Sequence, residues 1–302
     1  MMTRQGGGTE LVMHEGEVPI DLDLVGRLVA EQFPELAGLP VSAVDSTGTV
    51  NAIYRIGDQL YARLPRVARW VRDLDREWQW LPRLAPQLSL RIPEPVARGW
   101  PAESYPFPWA IYRWLDGETY ADGLVDDEAQ AAQDLARFVL ELRRVSPVDA
   151  PRTGRRPLDE LDRDTRQVID AARGVIDTDA ALGAWQRALQ APAWDGTPVW
   201  IHSDLLRPNV LVVGGRVSAV IDFGGAGLGD PASDVIAAWS VLGPVGRKAF
   251  RAALEVDDDT WHRARGIALH QAAMIIPCYA VSNPRFTALA RRTVEQILSD
   301  RS

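Results

Sequence analysis

Residues 199–224 hold the side chains whose types and spacing could do chemistry. His202 and Asp204 stand two apart, Asn209 follows five residues after Asp204, and Asp222 opens an Asp-Phe-Gly triplet. A carboxylate such as Asp204 can orient an acceptor hydroxyl and take its proton. Amide and carboxylate oxygens, here Asn209 and Asp222, are ligands that Mg²⁺ accepts beside phosphates and water. The set predicts a site for metal-assisted phosphoryl transfer.

A hairpin is predicted to bring these side chains together. Residues 210–213 and 217–221 are apolar and predict two short strands, and Gly214-Gly215 between them is a turn signal. Each motif alone could be an ordinary loop turn, since His-x-Asp and Asp-x-Gly pieces both favour turns. Their joint spacing on one hairpin favours convergence of the three polar side chains on one pocket.

The stretch resembles the catalytic and metal-binding loops of the aminoglycoside phosphotransferase family, small-molecule kinases with a protein-kinase-like fold, and the likeness extends along most of the chain. It implies an α+β fold with a nucleotide-binding lobe of antiparallel sheet and one helix at 20–115, and a mostly helical catalytic and acceptor-binding lobe at 116–302. We expect residues 1–19, polar and Gly-rich, to be a flexible tail. The family usually has Gly where this chain has Ser203, which should be tolerated unless the backbone there needs a positive φ.

Composition bounds the protein class. The chain has 302 residues, 46% hydrophobic and 25% charged, which suits a globular protein of one large domain or two lobes. No apolar run approaches the roughly 18 residues that span a bilayer, and the N-terminus lacks the apolar core of a secretory signal. The single cysteine, Cys278, lies in an apolar stretch and is predicted to be buried and inert. These features favour the cytoplasm and no membrane partner.

The net charge of −8 argues against a nucleic-acid partner, because phosphate-backbone binding needs a basic surface. It is compatible with a cationic substrate. His262 and His270 have no third ligand at a fitting interval, so packing roles are favoured over zinc binding. Nothing in the sequence fixes the oligomeric state.

The N-terminal region predicts a helix at 22–33 capped by Asp21, then strands at 41–46, 52–56 and 59–64. A kinase-like fold places its nucleotide-covering loop between the first two strands. Gly48, Thr49 and Asn51 are therefore predicted to lie at the phosphates. With a single glycine in this loop, an ordinary hairpin connection is the alternative.

Arg63 lies on the third predicted strand, where the family most often has a phosphate-holding lysine. Glu77, on a helix predicted at 68–84, resembles the family's partner for that basic residue. The guanidinium differs from an ammonium in reach and geometry, so phosphate positioning should be altered. Arg66 and Asp73 are the competing candidates for the two roles.

Residues 107–115 predict a buried strand that enters Asp116-Gly117. This stretch resembles the inter-lobe linker of the family, whose backbone hydrogen-bonds the purine edge. The resemblance places these contacts at Tyr112, Trp114 and Leu115. Core packing of the aromatic side chains is the alternative.

The second half of the chain predicts helices at 126–145, 158–176, 179–190, 244–254, 258–276 and 284–299, and one that begins at Asp230-Pro231. Asp230 and Asp234 match the family's Gly-Asp-Pro-x-x-Asp segment, which implies that they brace the catalytic loop. A helix so soon after Asp222 leaves no room for the peptide-docking segment of a protein kinase.

Together these patterns predict a kinase that transfers the γ-phosphate of ATP, with GTP possible, to a hydroxyl of a small molecule with Mg²⁺. Asp204, His202 and Asn209 form the predicted catalytic set, with His202 bracing the loop. An aminoglycoside is the first expected acceptor, since carboxylates could face a polycation at 116, 118, 122, 126–128 and 257–259. A macrolide, another antibiotic or a metabolite alcohol is the alternative acceptor, and a nucleotide-binding module without transfer activity is the alternative of another class.

Overall fold

The computed structural model describes residues 16–102 and 104–300. Most of the predicted flexible tail, residues 1–15, lies outside the described residues. The end of that segment is packed, because the backbone N–H of Val18 donates to the carbonyl of Arg66 at 3.0 Å and Ile20 is buried.

The N-terminal half is an antiparallel sheet with a helix on each side. Its five strands are β1 (Val41–Ala43), β2 (Asn51–Ile56), β3 (Leu60–Pro65), β4 (Pro95–Gly99) and β5 (Trp109–Arg113), in the order β1-β2-β3-β5-β4. Helix α1 (Leu22–Gln32) is capped by Asp21, whose carboxylate accepts from Leu24 N at 2.8 Å. Helix α2 spans Val71–Leu84.

Because its side chains alternate between the two faces of the sheet, β5 contributes to two hydrophobic cores. Trp109 and Ile111 pack into the cluster that contains α1, whereas Ala110 and Tyr112 face the larger cluster that contains α2 and the helical half. Successive side chains of a strand point to opposite faces, so one strand contributes to both.

The second half is mostly helical, with short strands around the predicted hairpin. In chain order its elements are β6 (Glu118–Thr119), α3 (Glu128–Arg144), α4 (Asp162–Ala171), α5 (Thr178–Ala188), β7 (Val199–Ile201), β8 (Val210–Val213), β9 (Arg216–Val220), β10 (Gly227–Gly229), α6 (Ala232–Val235), α7 (Ala237–Ser240), α8 (Pro244–Leu254), α9 (Asp258–Tyr279) and α10 (Pro284–Ser299). The predicted α+β, two-lobed kinase-like architecture is confirmed.

Three local predictions need correction. Helix α4 spans Asp162–Ala171 rather than 158–176, because residues 158–161 form a turn and Arg173 and Ile176 form an isolated bridge after the helix. The single helix expected after Asp230 is two short helices, α6 and α7. Cys278 is exposed, because it lies four residues after Met274 on the outward face of α9, where Met274 is exposed as well. Among the described residues no helix is long and apolar enough to cross a membrane.

Candidate active site

The hairpin β8–β9 positions the predicted catalytic side chains. Gly214 and Gly215 in its turn have φ of 55° and 75°, the positive values that a tight turn of this kind assigns to glycine. At the open end, Ile221 N donates to the carbonyl of Asn209 at 2.9 Å. Asn209 therefore lies directly across from the residue that precedes Asp222, as the sequence predicted.

Asp204 and Asn209 are joined side chain to side chain. Asn209 Nδ2 donates to Asp204 Oδ2 at 2.9 Å and to the Asp204 carbonyl at 2.8 Å. Two acceptors fix the amide nitrogen on the Asp204 side, which leaves Asn209 Oδ1 for a cation. Gln271 Nε2, from α9, donates to the other carboxylate oxygen of Asp204 at 2.6 Å.

The pKa of Asp204 is raised, first by burial and then by the nearby carboxylate of Asp222. A bound cation between the two carboxylates would relieve that repulsion. Within the described residues no group of three His, Cys, Asp or Glu could hold a metal. The oxygen donors present are those of Asp222, whose side chain is 40% exposed, and Asn209. This sparse oxygen set fits Mg²⁺, which takes few protein ligands and completes its shell with phosphates and water.

His202 does not face the pocket, and its contacts are those of the bracing role that the sequence predicted for it. Its ring is fully buried, Nε2 lies 3.0 Å from the carbonyl of Ile221, and Nδ1 accepts from Asp204 N at 3.3 Å. The ring therefore ties the two ends of the hairpin together. Its backbone N–H donates to Asp234 Oδ2 at 2.9 Å, so the buried Asp234 braces the loop as predicted.

Ser203 adopts the left-handed conformation, with φ of 71°. This is the condition under which the absence of the usual glycine matters, because a side chain there costs about 1 kcal/mol or more. Two hydrogen bonds hold the residue in place. Its N–H donates to Asp234 Oδ1 at 2.8 Å and its hydroxyl donates to the carbonyl of Gly225 at 2.9 Å.

Arg63 is paired with Glu77 as expected, yet its guanidinium is already saturated. Nη1 donates to both oxygens of Glu77, at 2.7 and 2.9 Å, and Nη2 donates to Asp222 Oδ1 at 2.8 Å. With the Asn51 amide turned so that its oxygen faces the guanidinium, that oxygen accepts from Nη2 and Nε at 2.9 Å each. All five donors then have protein acceptors, so the predicted contact of Arg63 with phosphates requires one of them to be released.

The predicted nucleotide-covering loop, residues 46–51, is tied to the corner between α9 and α10. Asn283 Nδ2 donates to the carbonyl of Thr47 at 2.8 Å, and Tyr279 Oη donates to Thr49 Oγ1 at 3.3 Å. Gly48 N–H donates to the hydroxyl of Ser46 within the loop. Sequence reasoning missed this link, because the two segments are more than two hundred residues apart.

The three residues predicted to contact the purine, Tyr112, Trp114 and Leu115, have different surroundings in the structure. Tyr112 is fully buried and its hydroxyl donates to Glu77 Oε2 at 3.0 Å, so it supports the ion pair. The N–H of Trp114 is taken by the carbonyl of Gln59 at 2.7 Å. Leu115 packs with Leu211, and its N–H has no hydrogen-bond acceptor among the described residues. Of the three predicted purine contacts, Leu115 alone has an unengaged amide proton in this part of the chain.

The Asp-Phe-Gly triplet is fixed by contacts on both sides. Phe223 is 1% exposed and packs edge-on against the rings of His202 and Phe138, with centroids 4.7 and 6.3 Å away. Arg76 Nη1 donates to the carbonyl of Gly224 at 2.8 Å. The next carbonyl, that of Gly225, accepts from both Ser203 and Thr153, the latter at 2.7 Å.

Known proteins share the sequence pattern and the fold of this chain. A sequence profile described as the phosphotransferase enzyme family (APH) matches residues 43–267. The chain belongs to this family. A stretch of 168 residues of this chain is 26% identical to the uncharacterized protein YcbJ of Bacillus subtilis (strain 168), covering 52% of the chain and 53% of YcbJ, so the chain matches about half the length of that relative.

Two solved structures illustrate the fold that this chain shares with known proteins. The GDP and kanamycin complex of APH(2″)-IIIa is 21% identical, covers 92% of this chain and 99% of that one, and has a TM-score of 0.70. Macrolide 2′-phosphotransferase type I is 21% identical, with coverage of 92% and 98% and a TM-score of 0.62.

Several of the acidic residues that were predicted to face a polycation already have partners in the structure. Asp257 caps α9, and Asp127 caps α3. Glu128 accepts from the N–H groups of Gly243 and Gly246, Asp122 pairs with Arg207, and Asp258 pairs with Arg251. Asp116, Glu118 and Asp259 are exposed.

Two residues beside Asp204 were missed from the sequence. Gln271 lies on α9, buried, and Arg155 lies on the segment before α4. Burial lowers the pKa of Arg155, and the charge of Asp204 opposes that effect. Neither belongs to a motif, and both approach Asp204 only through tertiary packing, so no sequence signal singled them out.

Proposed function

We propose that this phosphotransferase transfers the γ-phosphate of ATP, or of GTP, to a hydroxyl of an antibiotic-like small molecule. The observation that carries the proposal is the convergence of Asp204, Asn209 and Asp222 at the open end of one hairpin, with the Asn209 amide oriented by Asp204. Such a set aligns an acceptor with a metal–nucleotide complex, and alignment with charge neutralisation supplies most of the catalysis in this chemistry.

In the proposed reaction Asp204 accepts the proton of the acceptor hydroxyl as its oxygen bonds to the γ-phosphorus and the bond to the β-phosphate oxygen breaks. Asp222 and Asn209 would hold Mg²⁺, which neutralises charge on the phosphates. Arg63 and Glu77 hold Asp222 in place through the 2.8 Å ion pair. A phosphate contact of Arg63, or of Gly48 and Thr49 in the covering loop, stays a prediction.

The nucleotide would lie against Leu115, whose N–H is available to a purine edge and whose side chain packs with Leu211, Ala219 and Ile221 on the hairpin. ATP is the default donor. GTP stays open because these contacts are backbone and apolar.

An aminoglycoside is the first acceptor to test, and O-phosphorylation would then give resistance. The kanamycin complex of APH(2″)-IIIa supports this choice through a shared fold alone. A macrolide is the second candidate, because macrolide 2′-phosphotransferase type I shares the fold of this chain. A cytoplasmic location, with ATP and Mg²⁺ at hand, belongs to the same proposal.

The decisive experiment measures Mg²⁺-dependent ATP and GTP consumption by the purified protein across aminoglycosides, macrolides and simple amino alcohols. Acceptor-stimulated turnover that disappears in Asp204→Asn and persists in the exposed control Glu160→Gln supports the kinase. Nucleotide binding with no turnover on any acceptor would favour the non-catalytic module.

A further inference from the structure

The backbone contacts of one segment place Arg155 at the catalytic loop. Two residues before it, the hydroxyl of Thr153 donates to the carbonyl of Gly225, and the hydroxyl of Ser203 donates to that same carbonyl. Thr153 N–H also donates to the carbonyl of Leu228 at 2.9 Å. The segment before α4 is thus fastened beside the residue that directly precedes Asp204.

The guanidinium of Arg155 has no protein partner there. It forms no hydrogen bond or ion pair with residues 16–102 or 104–300, and its Nε is buried without an acceptor. The neighbouring Arg156, by contrast, pairs with Asp164 at 2.8 Å. Burying a guanidinium nitrogen without a hydrogen-bond acceptor is unfavourable, and the charge of Asp204 acts on Arg155 without a hydrogen bond between the two side chains. A ligand that brings an anionic oxygen would remove that penalty.

Gln271, which contacts the Oδ1 atom of Asp204, supplies a second polar group that has no hydrogen-bond partner among the described residues. Its Nε2 donates to Asp204 Oδ1 at 2.6 Å, whereas its Oε1 is buried and has no partner in the described chain. Gln271 is 7% exposed. A hydroxyl that approaches Asp204 would therefore meet a carboxylate and an amide oxygen as acceptors, and a guanidinium as the donor.

We propose that Arg155 and Gln271 form the acceptor subsite beside Asp204, and that this subsite takes an acceptor whose reacting hydroxyl is flanked by a carboxylate rather than by an ammonium group. The inference rests on the proposed phosphoryl transfer at Asp204, and the acceptor that it specifies differs from the aminoglycoside that is tested first above. A guanidinium binds a carboxylate with two parallel hydrogen bonds and repels an ammonium group. The engagement of Asp122, Asp257 and Asp258 by protein groups is consistent with it, since fewer carboxylates remain for a polycation.

Three probes isolate the flanking group, because glycerate, glycerol and aminopropanediol differ only in a carboxylate, a hydroxymethyl or an aminomethyl group. Their binding to the protein loaded with Mg²⁺ and a non-hydrolysable ATP analogue would be measured by ligand-observed NMR at millimolar concentrations. We expect glycerate to bind most tightly and aminopropanediol least. In Arg155→Ala we expect glycerate binding to weaken about tenfold or more, as for loss of a charge-assisted hydrogen bond, while the matched control Arg156→Ala keeps the wild-type order.

Glycerate binding no tighter than that of aminopropanediol, or an unchanged order in Arg155→Ala, would overturn the assignment. A rival role for Arg155 is contact with the transferred phosphoryl group. ATP hydrolysis measured without an acceptor tests that role. A large fall in that hydrolysis with probe binding unchanged would also overturn the proposal. Gln271→Leu, folded by circular dichroism, should weaken all three probes together, and no change would remove Gln271 from the subsite.

The same samples separate this inference from the proposed function. Binding of the ATP analogue, its dependence on Mg²⁺ and its loss in Asp222→Asn test the kinase alone. Retained nucleotide binding with no carboxylate preference refutes the subsite and leaves the kinase intact. A preference for glycerate without binding of the ATP analogue would refute the kinase and leave the subsite intact.

Discussion

Arg63 Nη2 lies 2.8 Å from Asp222 Oδ1, so the strand arginine binds one oxygen of the proposed metal ligand while Nη1 holds Glu77. The ammonium of a lysine presents three donors from one atom, whereas this guanidinium reaches separate acceptors with a fixed fork. Arg63 thereby joins β3, α2 and the Asp-Phe-Gly triplet in one buried network.

Removal of the arginine side-chain charge should destabilise the fold. In Arg63→Met, Glu77 loses its buried counter-ion, and we expect the free energy of unfolding to fall by roughly 3–5 kcal/mol. Burial is the main reason that the pKa of Glu77 is raised, and Arg63 opposes it. The measurement is urea unfolding of the single variants and of Arg63→Met/Glu77→Leu. Recovery of most of the loss in the double variant is expected, and additive losses would contradict the pairing.

Asp204→Asn should lower turnover by about 10² to 10⁴-fold, the range for a lost general base, with nucleotide affinity retained. The same variant should unfold at a higher temperature at neutral pH, because burial and Asp222 disfavour the charged form of Asp204 in the folded state. Kinetic assays and thermal unfolding beside Glu160→Gln check both effects. Turnover close to that of the wild type would exclude Asp204 as the base.

His270 gives the protein a defined acid sensitivity. Burial lowers its pKa from 6.5 to about 4, and its Nδ1 lies 2.8 Å from Thr165 Oγ1. The folded state disfavours the protonated ring, so its stability contribution is present above pH 6.5 and is lost as pH falls toward 4. The loss should be on the order of 2–3 kcal/mol. Across that pH range the free energy of unfolding of His270→Gln should change less than that of the wild type, and His262→Gln should match the wild type.

Two substitutions at Ser203 separate strain from hydrogen bonding. Ser203→Ala loses the hydroxyl bond to Gly225 and keeps the left-handed backbone, so we expect a loss of about 1 kcal/mol in unfolding free energy. Ser203→Gly loses the same bond and relieves the strain at φ of 71°, so it should be about 1 kcal/mol more stable than the alanine variant. Equal stabilities of the two variants would mean that no strain is stored there.

The tie between the covering loop and the α9–α10 corner should affect nucleotide binding. Asn283→Asp keeps the oxygen that caps α10 by accepting from Phe286 N, and loses the donor to the Thr47 carbonyl. We expect the KM for nucleotide to rise several-fold, with the KM for acceptor and the unfolding midpoint little changed. Steady-state kinetics with each substrate varied in turn tests this. A rise confined to the acceptor KM would assign Asn283 to the other pocket.

The catalytic hairpin could be predicted from the sequence because its information is local. Turn glycines, apolar strands and the spacing of Asp204, Asn209 and Asp222 all lie within one short stretch, and the structure has them as expected. The helix cap at Asp21 is a local signal of the same kind, since its carboxylate accepts from Leu24 N as predicted for a cap.

Long-range features could not be predicted in this way. The saturation of Arg63 depends on acceptors from three separate elements, and the unpaired state of Arg155 depends on which carboxylates fail to reach it. In a chain where nearly every basic residue is arginine, neither position stands out. The exposure of Cys278 depended on which face of α9 is covered, and apolar composition alone does not decide that.

The carbonyl of Gly225, which accepts from both Thr153 and Ser203, has a consequence for inhibitor design. Compounds that bind kinase folds by displacing the triplet phenylalanine would have to move Phe223 from between His202 and Phe138 and break the bonds to Gly224 and Gly225 together. The simultaneous loss of several hydrogen bonds would make such binding less favourable. Inhibitors of this chain are therefore better directed at the proposed purine contact near Leu115 or at the proposed acceptor subsite near Arg155.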